Sequence, residues 1–177
     1  MGWLKRAVQA AKKQDPAARS TAEVLLTYPG IHALFWHRFS HFLYQRNHFL
    51  LARMNAQLWR FLTGIEIHPG AKIGQGVFID HGMGLVIGET AEVEDDVVLH
   101  HGVTLGGTGK HKTKRHPTVK KGALISAHVQ ILGPVVIGER AKIGASAVVL
   151  HDIPADATAV GIPAKVVRLK GEKVSDD

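Results

Sequence analysis

The sequence predicts a mainly β protein: a solenoid of short parallel strands behind a short α-helical region. Two observations predict it. From residue 65 onward apolar residues recur every six positions, while residues 1–64 keep the period of amphipathic helices. Four places after most of the six-spaced residues stands a small or β-branched one. Neither an α-helix nor a simple strand repeats every six residues, whereas solenoids do.

The helical region comes first. Trp3, Leu4, Ala7, Val8 and Ala11 follow a helical spacing up to Lys13. Asp15-Pro16 ends it, because proline pushes the residue before it out of the helical region. Ser20 and Thr21 can cap a short helix with Glu23 in its first turn. Pro29-Gly30 reads as a turn. Two more helices are expected over 31–44 and 47–62, joined around Asn47, with apolar stripes that helix packing would cover.

The solenoid follows in three series. Ile67, Ile73 and Ile79 form the first; Ile87, Val93, Leu99 and Leu105 the second; Val119, Ile125, Ile131, Ile137, Ile143 and Val149 the third. Three strands and three turns make one triangular coil of about eighteen residues, and the aliphatic residue stacks inward on its equivalents. The small companions, such as Ala71, Ala91, Ala123, Ala141 and Ala147, suit crowded corners. Two breaks interrupt the register. Two extra residues enter near HGMGLV, and residues 106–118, GGTGKHKTKRHPT, form an inserted loop. Loops on a solenoid commonly carry function. Residues 65–167 make the solenoid unit, its end closing the last coil, and residues 168–177 a flexible polar tail.

Composition narrows the chemistry. The 177 residues contain no cysteine, which excludes disulfides, thiolate zinc sites and cysteine nucleophiles. No run approaches a membrane span, and the first fifteen residues are charged throughout, so a cytoplasmic protein is expected. Net charge is +7, which favours anionic partners. Aromatic content of 6%, without an RNA-binding aromatic motif or a basic helix-turn-helix pattern, argues against nucleic acid. Histidine is frequent, 12 in all, which directs attention to general bases and metal ligands.

Three segments carry a specific resemblance: GIEIHPGAKIGQGVFIDHGMGLVIGETA (64–91), VTLGGTGK…RHP (103–117) and IGASAVV…VGIPAKVV (143–167). Together the chain resembles the serine O-acetyltransferases of the hexapeptide-repeat acyltransferase family. The resemblance implies a left-handed parallel β-helix and transfer of acetyl from acetyl-CoA to the hydroxyl of L-serine, giving O-acetyl-L-serine in cysteine biosynthesis. It assigns His81 as general base, which a serine hydroxyl requires at neutral pH. It assigns the orienting carboxylate to Glu66, where the family carries an aspartate, and the second active-site histidine to His116, facing His81. Arg115 would clamp the substrate carboxylate and Asp80 would pair with its ammonium group, while Asp15 matches another family aspartate near the substrate. Gly107, Thr108, Gly109 and Lys110 match the cofactor loop; Ala127, Gly144 and Ala145 match a groove of small residues; Lys142 would meet cofactor phosphates.

Two other readings compete. Homoserine or another hydroxyl acceptor would keep the fold and the base, since one methylene is worth only about 1–3 kcal/mol of selectivity. A zinc-dependent, carbonic-anhydrase-like site would draw on His81, His111 and His116, but gives the GGTGK loop no role, so no metal is expected. The resemblance further implies a homotrimer or a dimer of trimers, with sites between subunits. It also implies docking of a C-terminal isoleucine into O-acetylserine sulfhydrylase (cysteine synthase); this chain ends in Asp177 instead.

Overall fold

The computed structural model describes residues 2–109 and 112–174. Four helices open the chain: α1 (Trp3–Gln14), α2 (Thr21–Thr27), α3 (Pro29–Gln45) and α4 (Phe49–Thr63). Ser20 caps α2 as expected, its hydroxyl accepting from the Glu23 N–H at 3.1 Å. Pro29-Gly30 corrects the expected turn: the pair opens α3, where a proline without an N–H suits the first helical position. Gly30 also lies against Ile79, and a Cβ there would come within 2.8 Å of that side chain. The α3–α4 junction passes through Asn47 in the left-handed region, φ 63°.

Strands follow in triplets. The first coil holds β1 (Glu66–Ile67), β2 (Lys72–Ile73) and β3 (Phe78–Asp80); the second β4 (Val86–Ile87), β5 (Glu92–Val93) and β6 (Val98–His100). The third holds β7 (Thr104–Gly106), β8 (Thr118–Val119) and β9 (Leu124–Ile125), and the fourth β10 (Gln130–Leu132), β11 (Val136–Ile137) and β12 (Lys142–Ile143). After β13 (Val148–Val149) come β14 (Ala157–Val160), β15 (Lys165–Leu169) and β16 (Glu172–Lys173). Every third strand pairs in parallel, giving three faces: β1-β4-β7-β10-β13, β2-β5-β8-β11, and β3-β6-β9-β12 continued by β14, β15 and β16.

The ladders measure the register breaks. Glu66 pairs with Val86, twenty residues on, so the turn after β3 holds two extra residues. Val86 pairs with Thr104, eighteen on. Glu92 pairs with Thr118, twenty-six on, so the loop after β7 adds eight. Pairing then returns to eighteen, Thr118 with Val136. Both insertions sit in turns, and the strands keep their stacking. Leu99, Leu105, Ile125, Ile131 and Ile137 are wholly buried in one continuous core. At roughly 25 cal/mol per Å2 of apolar area, each such side chain contributes about 1.5–3 kcal/mol of transfer free energy.

The far end differs from the expected tail. β15 runs antiparallel to β14 and β16 to β15, so ordered strands extend to Lys173 and the boundary anticipated at residue 167 falls inside β15. Antiparallel pairing reverses the chain and covers the last coil, whose edge would otherwise stay open.

The helical side keeps much apolar surface in the open. Phe35, Phe39, Phe42, Leu50, Leu51, Met54, Leu58, Phe61 and Leu62 are exposed in the single chain, Phe61 at 86%. The packing expected to cover these stripes covers only part of them, such as Ile31, Leu34 and Ala52. Among the described residues, no helix is long and apolar enough to cross a membrane.

Candidate functional site

Most of the expected site residues fall into two groups at opposite edges of one face of the prism. The first group lies in the turns entering the β1-β4-β7-β10-β13 face. Asp80 ends β3 and His81 follows it; Ala127, Gly144 and Ala145 occupy the corresponding turns two and three coils on. The second group lies where the chain leaves that face. Gly107, Thr108 and Gly109 follow β7, and Arg115 and His116 return to β8. Between His81 and the turn that holds His116 runs β4. Its extended chain, from Leu85 to Gly88, spans about 10 Å, well beyond hydrogen-bond reach. The expected face-to-face placement of His81 and His116 therefore does not occur within one chain. Lys110 and His111 lie outside the described residues.

At the first edge His81 is open to solvent, with 76% of its side chain exposed. Its φ is 58°, but Asp96, His128, Arg140, Ser146 and Asp156 turn the same way at other corners, so the left-handed residue belongs to the solenoid's turn geometry. Asp80 sits between two imidazoles, its Oδ1 3.9 Å from His81 Nε2 and its Oδ2 3.5 Å from His100 Nε2. Asp15 joins this group from the turn after α1. Its carboxylate accepts from the Tyr28 hydroxyl at 2.5 Å and from the Ala17 N–H at 2.8 Å. The Tyr28 hydrogen bond, helped by the Ala17 N–H and by the proximity of His81, holds the Asp15 carboxyl below its usual range. The same bond pushes the Tyr28 phenol up to about 12.

Glu66 is placed otherwise. Its Oε2 lies 3.2 Å from Arg60 Nε in the last turn of α4, and among the described residues no hydrogen bond joins it to His81. Two residues to which the sequence assigns no site role extend the first edge. His101 stands edge-on to His81 at 5.8 Å between ring centroids, and His128 edge-on to His101 at 4.9 Å. The adjacent HH pair at 100–101 was visible, but only the coil offset shows that His101 stacks on His81.

The second edge is tightly bonded. His116 is buried, 8% exposed. Its ring lies on Gly88, where a Cβ would come within 2.0 Å of Cδ2, and beside Gly107, where a Cβ would stand 3.0 Å from Nε2. Only glycine leaves room at residue 88 for this ring. Arg115 pairs with Glu89 Oε2 at 2.5 Å, and Tyr44 of α3 donates to Glu89 Oε1 at 2.9 Å. Arg115 chiefly, and then Tyr44, hold the Glu89 carboxyl below its usual range against the opposing effect of burial. Burial, then the Arg115 charge, keeps the His116 imidazole below its ordinary value. Glu89 and Thr90 belong to the GET segment already noted, but no role was assigned to either; Tyr44, from the helices, left no sequence signal.

Lys142 projects from the third face, in a shallow cavity of about 400 Å3 shared with Arg140, Asp156, Thr158, Arg168 and Lys170. Asp156 is engaged by Arg140 at 2.7 and 2.8 Å, which leaves Lys142, Arg168 and Lys170 as the outward cations of that cavity. Such a set suits phosphate oxygens. Among the described residues, no group of three or more His, Asp or Glu side chains is arranged to hold a metal ion.

Comparison with known proteins gives this geometry a family. The family described as bacterial transferase hexapeptide (six repeats) matches residues 116–151. A serine acetyltransferase of Bacillus licheniformis is 57% identical over 174 residues, covering 98% of this chain and 81% of its own. The structure of the Neisseria gonorrhoeae serine acetyltransferase in complex with serine is 39% identical with a TM-score of 0.89, covering 92% of this chain and 67% of that one. A serine acetyltransferase complex with CoA is 41% identical with a TM-score of 0.88, covering 93% and 68%. The chain thus spans about two thirds of the solved chains and four fifths of the Bacillus relative. With the six-residue repeat, the two-edge arrangement of DHG and RHP and these relatives in agreement, the chain belongs to the serine acetyltransferases, left-handed β-helix enzymes that transfer acetyl groups.

Proposed function

We propose that this chain transfers acetyl from acetyl-CoA to the hydroxyl of L-serine at a site completed by two copies. The observation that carries this reading is the division of the family's motif residues between two edges of one face. One copy supplies Asp15, Asp80 and His81. Its neighbour supplies Arg115, His116 and the Gly107–Thr108 turn. A homotrimer is the smallest closed assembly that repeats such a head-to-tail contact around a prism, and a dimer of trimers would leave the sites unchanged. The enzyme works in the cytoplasm without a metal.

Serine binds as a zwitterion in this reading. Asp15 and Asp80 meet its ammonium group, and Arg115 its carboxylate. His81 removes the hydroxyl proton, and Glu66, held at Arg60 in the single chain, would turn toward the ring to orient it. The alkoxide attacks the thioester carbonyl, the carbon–sulfur bond breaks, and His81 returns the proton to the thiolate. The products are O-acetyl-L-serine and CoA. The pantetheine arm would follow the small residues Ala127, Gly144 and Ala145, and Lys142 would face its phosphates. The cysteine synthase partner depends on the last residues of the chain, and 175–177 lie outside the described residues.

The test is CoA release from acetyl-CoA with L-serine or L-homoserine as acceptor. Serine-dependent release should fall about 100- to 10,000-fold in His81→Ala. Mixed oligomers of His81→Ala and Arg115→Ala should recover about a quarter of wild-type activity, because random assembly restores intact base and clamp at that fraction of interfaces. Release with homoserine alone would sink the substrate assignment, and absence of recovery would sink the shared site.

A further inference from the structure

Among the described residues, the hydrogen bonds around His116 converge on one residue, Thr90. The Thr90 hydroxyl oxygen accepts from the Arg115 N–H at 3.0 Å and from the His116 N–H at 3.1 Å. A hydroxyl has two lone pairs and one proton. Both lone pairs are taken, so its remaining contact, 2.9 Å to His116 Nδ1, must be a donation. The Thr90 backbone N–H also points at Nδ1, at 3.2 Å. Two donors converge on one ring nitrogen. A proton on Nδ1 would collide with both and leave the hydroxyl hydrogen without an acceptor.

We infer that Thr90 is a positioning residue that fixes His116 as the neutral tautomer protonated at Nε2, and so makes it a hydrogen-bond donor toward an anionic oxygen of the reacting pair. This inference rests on the proposed acetyl transfer for its substrate, and on the chain's own geometry for the tautomer. His116 is then neither a second base nor a metal ligand. Its Nε2 emerges beside Gly107, at the edge where the neighbouring copy's His81 would bring serine and the thioester. The anionic oxygen has two possible sources, the serine carboxylate already held by Arg115 and the oxyanion formed at the thioester carbon; both demand a donor at this nitrogen. The surroundings favour the neutral ring. Burial and the charges of Arg115 and Lys114 disfavour an imidazolium, and Glu89 opposes them only in part. Lys114 is itself tied to Thr90, its ammonium group donating to the Thr90 carbonyl at 2.7 Å, which links the loop to the threonine.

The first arm of the test needs no activity. Histidine side-chain nitrogen NMR on the full-length protein, with signals assigned by loss in His116→Gln, should show Nδ1 unprotonated and Nε2 protonated at pH 7. A neutral ring protonated at Nδ1, or a charged ring, would overturn the inference. The second arm is kinetic. Thr90→Val keeps the side-chain shape but removes the hydroxyl, and kcat/KM for serine should fall about 10- to 100-fold. Thr90→Ser should stay within about threefold of wild type, since it restores the donor. A loss confined to the KM for serine identifies the carboxylate as acceptor, and a loss in kcat identifies the oxyanion. An unchanged kcat/KM in Thr90→Val would overturn the role. If the unaltered protein releases no CoA with serine, the proposed function fails while the NMR arm still decides the tautomer.

Discussion

The solenoid and the helical hairpin solve the same burial problem to different degrees. Every coil of the solenoid places its aliphatic residue against the next, and the series from Leu99 to Ile143 is essentially inaccessible to water within one chain. The hairpin of α3 and α4 buries Ile31, Leu34 and Ala52 but leaves ten large apolar side chains exposed. The charges differ as well. Residues 24–65 contain no Asp or Glu, whereas the solenoid ties its carboxylates to cations in pairs such as Lys120–Glu94 and Arg140–Asp156. The comparison teaches that repetition makes a core self-sufficient: each coil is both guest and host of its neighbours. A two-helix layer has one inner face and one outer face, and here the outer face remains apolar.

Breaking the solenoid side should cost most. Leu105→Ala removes a wholly buried side chain between coils and should lower stability by about 2–5 kcal/mol, read as a shift of the urea midpoint at unchanged slope. Acid should act on the boundary between the halves. His37, buried in α3, is held down to about 3, chiefly by burial. The unfolded chain takes up a proton near pH 6.5 while the folded chain does not, so stability present above that pH is lost progressively as pH falls toward 3. Between pH 6.5 and 5 the loss should be about 2 kcal/mol. Unfolding curves at both pH values, repeated for His37→Leu, check it; the variant should lose the His37 share and keep a comparable one from His68, which burial holds down to about 4. A smaller effect belongs to the helices alone. Ser20→Ala removes the cap of α2 and should cost about 1 kcal/mol, measured by thermal unfolding. The smallest should come from the outer face. Phe61→Ala should change the unfolding free energy of the isolated chain by less than about 0.5 kcal/mol. A large loss there would show the face is covered, and would narrow the contrast between the halves.

Much of this could be read from the residues before any coordinates. Six-residue spacing marked Ile87, Val93, Leu99 and Leu105 as inward, because one pleated strand and one turn per side leave a single orientation for each lead residue. The eight-residue insertion was visible as the gap from Leu105 to Val119. Proline and cap chemistry located α1 and α2 well. Three things escaped. Pro29-Gly30 reads as a turn locally, yet proline equally suits the first helical position, and the close packing of Gly30 on Ile79 is invisible in the local pattern. Residues 168–173 looked polar and loose, yet antiparallel pairing of β15 with β14 and of β16 with β15 orders them, a long-range effect that no local pattern reports. In the site, motif positions identified His81, His116 and Arg115, but spacing along a chain does not say which edge of a prism a residue occupies. Nor does it reveal partners such as Tyr44 on Glu89, or Thr90 on His116, which are set by stacking of distant segments.

The insertion after β7 separates the path of the polypeptide from the integrity of the fold. Its described residues lie outside the ladders, and the strands on either side are held by rungs that cross it: β5 against β8 and β7 against β10. A tryptic nick after the exposed Lys112 would therefore give two bands on a denaturing gel but one particle in solution. By the same logic new chain ends could be opened in this loop, and the molecule expressed as two complementary fragments that find each other through the coils they share.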